Sequence, residues 1–126
     1  IIMYLTNLNS ITSFIFLSNV YHLYNKDDEI YMYSFLMLFL SSILYHGTYN
    51  KLYKKIDTLF VINIILQGGY RTLIINNYTI YTNYTIICFM LTLYNYYLKK
   101  NTTFNHSCIH IISSIGHHMI IANKDN

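Results

Sequence analysis

The chain has no proline, no tryptophan and only four glycines among its 126 residues. A collagen-like repeat and a turn-rich β-sandwich are therefore excluded, because both need many Gly or Pro residues. Two cysteines, Cys88 and Cys108, are too few for a disulfide framework or a Cys-rich zinc site. Only 10% of the residues are charged, whereas a soluble domain carries about 25%. The chain lacks the polar groups that would cover a globule in water.

Apolar and aromatic residues fill the chain instead. Of its residues 54% are hydrophobic, and they include 15 tyrosines and seven phenylalanines. Intrinsic disorder is excluded, because it requires low hydrophobicity and high charge. The net charge of +3 comes from sparse lysines that form no basic stripe, which argues against nucleic acid binding. We therefore predict a small membrane protein, a single domain over residues 1–126 with the lipid bilayer as its surroundings.

Five segments approach the length of a membrane span, since a bilayer core of about 30 Å needs about 20 residues of helix. They cover residues 4–23, 30–46, 57–76, 80–98 and 105–122. The third is the weakest, because Asn63, Gln67 and Arg71 interrupt it, and Gly68-Gly69 predicts a kink or an early stop. Short loops join the segments. We predict an all-α fold, a polytopic transmembrane bundle of about five helices.

The lysines predict an orientation for this bundle. With five spans, one side holds Lys51, Lys54, Lys55, Lys99 and Lys100. The acids Asp27, Asp28, Glu29 and Asp125 fall on the other side. Because the side rich in Lys and Arg stays in the cytoplasm, the lysine side is expected to be cytoplasmic, or to face the matrix in an organellar membrane.

Chemically active residues gather on the lysine side. Ser42 and His46 form Ser-x3-His at the end of the second segment, and Asp57 opens the third. His106 and His110 form His-x3-His at the start of the fifth. Residues four apart share a helix face, and the predicted topology brings these helix ends to one depth in the membrane. Ionisable residues inside spans indicate function.

The chemistry of this group points to zinc. Three neutral imidazoles with an open fourth position form a catalytic zinc site, which lowers the pKa of bound water to about 7. We therefore predict His46, His106 and His110 as zinc ligands. Asp57 would take the proton of that water or orient it, and Ser42 would donate a hydrogen bond to the water or to a developing oxyanion.

These motifs resemble those of the CREST superfamily of membrane hydrolases. Its members include alkaline ceramidases, adiponectin-receptor and haemolysin III-like proteins, and a phospholipase that trims GPI anchors. The stretches that carry the resemblance are Ser41-Ser42-Ile43-Leu44-Tyr45-His46 and His106-Ser107-Cys108-Ile109-His110 up to Gly116. The resemblance implies the same zinc ligands, with Asp57 and Ser42 serving the metal-bound water.

The resemblance also implies an activity, which is hydrolysis of an amide or ester bond in a ceramide- or phospholipid-like membrane lipid. About 48 residues separate Asp57 from His106, room for two spans where the superfamily has four. The number of removed helices is even, so the ligands still converge, but the lipid pocket loses part of its wall. Whether the shortened bundle acts alone or as a homo-oligomer that completes the pocket stays open.

Two other functions fit the composition and the histidines. A non-catalytic structural subunit of an organellar membrane complex would use the histidines as contacts to lipid or to neighbouring helices. A small haem protein would use His46 and one histidine of the fifth segment as axial ligands. The haem alternative needs two axial imidazoles, whereas His46 and His-x3-His supply three at one depth, and no Gly cleft is apparent.

The remaining polar residues receive structural interpretations. His22 is predicted to be a hydrogen-bonding contact between helices. His117 shares a helix face with His106 but lies eleven residues further along, about 16 Å deeper, so it cannot bind the same ion and is expected near the opposite interface. Arg71 is expected to extend toward the nearer interface.

Overall fold

Helices make up almost all of the structure. The computed structural model of the protein describes residues 7–98 and 102–124. Its helices are α1 (Leu8–Ser13), α2 (Phe16–Leu23), α3 (Glu29–Thr48), α4 (Lys51–Tyr70), α5 (Ile80–Leu98) and α6 (Thr102–Asn123). With α1 and α2 taken as two parts of one interrupted segment, the predicted all-α bundle of five helices is confirmed. The described ranges contain no strand.

Asparagine and aspartate side chains determine where three of the helices begin. Asn7 accepts a hydrogen bond from the backbone N–H of Ser10 at the start of α1, and Asn50 accepts one from Leu52 at the start of α4. Asp28 accepts from Tyr31 at the start of α3. Such caps satisfy backbone donors that have no partner inside the helix.

The connection between α3 and α4 is shorter than predicted. Tyr49 adopts a left-handed conformation, with φ 54°, and its N–H donates to the Tyr45 carbonyl at 2.6 Å, which ends α3. Asn50 then caps α4, so residues 51–56 are helical and the prediction that they form a loop is wrong. Asp57 consequently lies in the second turn of α4, six residues after the first helical residue, and does not open the helix.

Two other predicted segments differ in detail. Residues 4–6 of the first predicted segment lie outside the described residues, and the rest is broken between Ser13 and Phe16. Hydroxyls near the break bond to carbonyls three or four residues earlier, Thr12 to Leu8 and Ser13 to Asn9, and such bonds bend helices. The irregularity expected at Gly68-Gly69 falls slightly later, as a π-helical turn over Arg71–Ile75 that continues α4.

Hydrogen bonds between polar side chains join α1 and α2 to α6. Asn9 accepts a hydrogen bond from Ser107, and Asn19 accepts one from Ser114. Residue numbers rise together along the two partners, so α1–α2 and α6 run parallel. Because α3 runs antiparallel to α2, the end of α3 and the start of α6 lie at the same end of the bundle. This arrangement positions the candidate site.

The core and the outer surface are both apolar. The buried core consists of Phe16, Leu23, Tyr31, Phe35, Leu38, Ile64, Ile120 and Ile121. α3 packs against α1, α2 and α4, whereas α5 packs on α6 and exposes large side chains along its length: Ile86, Ile87, Phe89, Met90, Leu91 and Leu93. Two helices, Glu29–Thr48 and Lys51–Ile75, are long and apolar enough to cross a membrane.

Candidate metal centre

Three histidines that are distant in sequence meet at one end of the bundle. His46 lies in the last turn of α3, and His106 and His110 lie in the second and third turns of α6. Their potential ligand atoms all lie within 4.8 Å of one another. The ring centroids are 4.6 Å apart for His46 and His106, and 5.2 Å apart for His46 and His110. The three residues, called the histidine cluster below, could hold one metal ion.

The hydrogen bonding of His46 fits this use. His46 is 2% exposed, and neither Nδ1 nor Nε2 has a hydrogen-bond partner among the described residues. Leaving a buried polar atom unsatisfied costs about 1–3 kcal/mol, and native structures contain few such groups. An ion bound by one ring nitrogen would satisfy that atom. The donor set of three imidazoles suits zinc, copper, iron or nickel.

Two members of the histidine cluster contact the first segment, through the α1 cap Asn7, Thr12 of α1 and Phe16 of α2. The Asn7 side-chain amide donates to the backbone carbonyl of His46 at 2.8 Å. The Thr12 hydroxyl lies 2.9 Å from Nδ1 of His110, and the Phe16 ring packs edge-on against the same imidazole. α1 therefore joins the end of α3 to the start of α6.

Asp57 lies close to this cluster but is not part of it. Its carboxylate is buried, 6% exposed, and accepts a hydrogen bond from the Ser41 hydroxyl at 2.9 Å. Ser42, which is also buried, lies close to the same carboxylate. Ser42 precedes His46 by one turn of α3, about 6 Å along the helix axis. Asp57 thus faces the interior of the bundle rather than solvent.

The other described acids lie at the opposite end of the bundle. Asp27, Asp28 and Glu29 precede or begin α3, whereas His46 lies near its end. The 18 residues from Asp28 to His46 span about 27 Å of helix. Asp57 is therefore the acid at the histidine end of the described chain.

His117 belongs to a second polar group rather than to the histidine cluster. Its Nδ1 is hydrogen bonded to the Tyr31 hydroxyl, and its ring packs edge-on against Phe35. A Cβ added at Gly68 would lie 2.7 Å from the imidazole, so glycine is needed there for the close approach. His117 therefore lies toward the end of the bundle opposite the histidine cluster, where it is buried among aromatic core residues.

Arg71 completes this second group. Its guanidinium donates to both carboxylate oxygens of Asp28 at 2.7 Å, and it lies 4.1 Å from the Tyr31 ring centroid. The guanidinium is thus paired rather than extended freely toward the interface. Hydrogen bonds from Arg71 hold the pKa of the Asp28 carboxyl below its usual range. Asp28, Tyr31, Arg71 and His117 are called the Tyr31 cluster below.

His22 is a helix contact, as predicted. Its Nδ1 lies 2.8 Å from Nδ1 of His118, and the two rings stack. The Ser18 hydroxyl lies 2.8 Å from Nε2 of His118. A separation of 2.8 Å between nitrogens suits one shared proton, so these histidines join α2 to α6.

The comparisons with known proteins leave the site to be interpreted from its own geometry. No protein-family model, no curated protein and no solved structure matches the chain.

Sequence reasoning missed three residues that contact the site: Asn7, Thr12 and Ser41. Thr12 is 98 residues from His110, and no spacing rule connects the two. Ser41 and Ser42 are adjacent, and the Ser-x3-His pattern selected Ser42. The bond from Ser41 to Asp57 depends on the tight hairpin of α3 and α4, which the sequence did not predict.

Proposed function

We propose that the protein is a multi-pass integral-membrane, zinc-dependent hydrolase that cleaves an amide or ester bond of a ceramide- or phospholipid-like lipid. The observation that carries the proposal is the histidine cluster, with Ser42 one helical turn before His46 and the buried Asp57 carboxylate held by Ser41. The resemblance of the same residues to the CREST motifs supports the same chemistry.

The proposed ligands are His46, His106 and His110. Zinc, when bound by three neutral imidazoles, supplies Lewis acidity and activates water at neutral pH. One of the two His46 ring nitrogens that have no partner among the described residues would bind this ion. The fourth position of the three-ligand set would stay open for water. His106 is the half-buried member of the cluster, so the approach of water and substrate is proposed on its side.

Asp57 is proposed as the general base, and Ser42 as a hydrogen-bond donor to the developing oxyanion. Proton transfer by a positioned side chain contributes about 10²–10⁴-fold to a rate. The hydrogen bond from Ser41 holds the Asp57 carboxylate in place, so we assign Ser41 the positioning of that base.

A multi-pass membrane location is proposed from the apolar outer surface. α3 and α4 have the length and composition of spans, and α5 and α6 are of similar length. The exposed residues Lys51, Lys54 and Lys55 lie at the histidine end, and the acids before α3 lie at the other end. By the distribution of lysines, the proposed metal centre faces the cytoplasm, or the matrix in an organelle.

A cavity between α4, α5 and α6 supports a lipid substrate. Its volume is about 290 Å³, and its lining is mostly apolar, with Gly69, Phe89 and Ile120 among the lining residues. Ser113, one turn after His110, lies on its wall. The hydroxyls of Thr72, Thr85 and Thr92 bond to carbonyls of their own helices, which leaves their methyl groups for the lining. An acyl chain is the ligand proposed for this space.

Hydrolysis in reconstituted vesicles tests the proposal. Zinc-loaded protein is expected to release fatty acid from an N-acyl sphingoid base or from a phospholipid, with no release by His110→Ala. In Gly69→Leu the added Cβ would meet no atom within 4 Å, and the longer side chain is expected to occupy part of the cavity. We expect this variant to raise KM for long-chain substrates and to leave short-chain substrates and zinc content unchanged.

The matched control is Leu66→Phe, a change on the exposed face of α4 outside the cavity. A zinc-loaded protein that hydrolyses neither lipid class would contradict the hydrolase proposal. Recovery of the metal-free chain in a stable large assembly would instead support the structural-subunit alternative.

A further inference from the structure

The short helix α1 is built into the histidine cluster although it supplies no ligand. Asn7, at its start, donates to the carbonyl of His46, and Thr12, in its last turn, contacts the ring of His110. Asn9 accepts a hydrogen bond from the Ser107 hydroxyl at 2.8 Å, next to His106. Through these bonds, α1 and its cap hold both helices that carry the cluster, which are α3 and α6.

The Thr12 hydroxyl has a single proton, and this limits what it can do at His110. Two carbonyls of its own helix lie within reach, that of Leu8 at 3.0 Å and that of Asn9 at 3.3 Å. A hydroxyl that donates its proton to a carbonyl keeps its lone pairs. It can then only accept a hydrogen bond at its contact with His110, and the donor must be Nδ1–H.

This hydrogen-bond direction selects a tautomer. In a neutral imidazole one nitrogen carries the proton and the other carries a free lone pair. With the proton on Nδ1, Nε2 of His110 has the lone pair that a metal ion requires. Histidine ligands commonly donate their second N–H to an oxygen in this way, which fixes the tautomer and the orientation of the ring.

We propose that Thr12 is a positioning residue of the metal centre, which holds His110 in the Nδ1–H tautomer and so presents Nε2 to the ion. The packing makes this arrangement rigid. His110 is 4% exposed, and the Phe16 ring lies edge-on to it with centroids 5.4 Å apart. α1 is itself held by its cap and by the Asn9–Ser107 bond. The proposal rests on the zinc function proposed above, but its first consequence is a property of the metal-free protein.

Nitrogen NMR of metal-free protein with labelled histidines measures this property directly. The chemical shifts of the two ring nitrogens distinguish the protonated one from the bare one. In the wild type we expect His110 to be protonated on Nδ1. A His110 ring protonated on Nε2 would overturn the proposal, and this measurement needs no variant that could misfold.

Two variants of Thr12 then measure the effect on metal affinity. Thr12→Val keeps the shape and removes the acceptor, so we expect zinc affinity to fall about 10–100-fold, the usual loss when such an outer partner is removed. Thr12→Ser restores the hydroxyl and is expected to restore most of the affinity. Thr58→Val is the matched control, because Thr58 also bonds to a carbonyl four residues earlier but lies exposed on α4.

The outcomes separate this inference from the proposed function. Unchanged zinc affinity in Thr12→Val, or an equal loss in Thr58→Val, would overturn the assignment of Thr12. A wild type that binds no zinc but protonates His110 on Nδ1 would overturn the zinc hydrolase and confirm what Thr12 does to the ring.

Discussion

The two ends of the bundle each carry buried imidazole, and they differ in how its nitrogens are satisfied. At one end neither ring nitrogen of His46 has a partner in the described part of the chain, and the potential ligand atoms of three imidazoles lie within 4.8 Å of one another. At the other end His117 is hydrogen bonded to Tyr31, and Arg71 is paired with Asp28. Buried histidine alone therefore does not indicate a ligand site.

The difference lies in the neighbours that each helix offers. Around His117, a phenol and an aromatic face fill the space, and Gly68 allows close packing. Around the histidine cluster, Thr12 contacts the His110 ring and Asn7 contacts the His46 backbone. Neither residue contacts a ring nitrogen of His46. Unsatisfied buried nitrogen costs free energy unless something binds it. We infer that the Tyr31 cluster stabilises the fold and that the histidine cluster binds an ion.

The largest expected effect concerns catalysis at the histidine end. Asp57→Asn keeps an oxygen that can accept the hydrogen bond from Ser41, but it cannot take a proton. Turnover is expected to fall about 10²–10⁴-fold, with zinc content unchanged. Ser42→Ala is expected to lose less, at most about 10²–10³-fold. Initial rates and zinc content per chain check both, and loss of zinc in Asp57→Asn would make Asp57 a ligand instead.

An intermediate effect is expected at the end that carries the Tyr31 cluster, where we expect the stability to change and the metal content to stay the same. Arg71→Met removes the guanidinium and leaves the Asp28 carboxylate without its bidentate partner. Because the pair is only partly exposed, we expect unfolding in detergent micelles to become easier by about 2–4 kcal/mol. Zinc content should not change. A variant with wild-type stability and reduced zinc would show that the two ends do not have separate roles.

The smallest expected effect is a pH dependence of stability from Asp28. Arg71 lowers the pKa of the Asp28 carboxyl in the folded state. The stability that this carboxylate contributes is therefore fully present above its unfolded pKa of about 3.9, and it is lost as the pH falls through the folded pKa. Unfolding measured from pH 6 to pH 3 should show a loss below about pH 4 in the wild type. Arg71→Met should show a smaller loss, and equal losses would exclude this pair as the cause.

Periodicity and composition were sufficient to predict the helices and to predict that the three histidines lie together. His-x3-His and Ser-x3-His each define a helix face, and the two crossings between them bring both faces to one end. The start of α4 could not be predicted from hydropathy, because Asn50 caps a turn whose first residues include three lysines. The contact between Thr12 and His110 depends on how two parallel helices pack, and no local pattern specifies that.

The central claim is that the histidine cluster, and not the Tyr31 cluster, binds zinc. Zinc content per chain, measured by mass spectrometry on detergent-purified protein, tests it most directly. We expect about one zinc per chain in the wild type and in His117→Ala, since one three-ligand site holds one ion, and essentially none in His110→Ala. Zinc that persists in His110→Ala but disappears in His117→Ala would contradict the account.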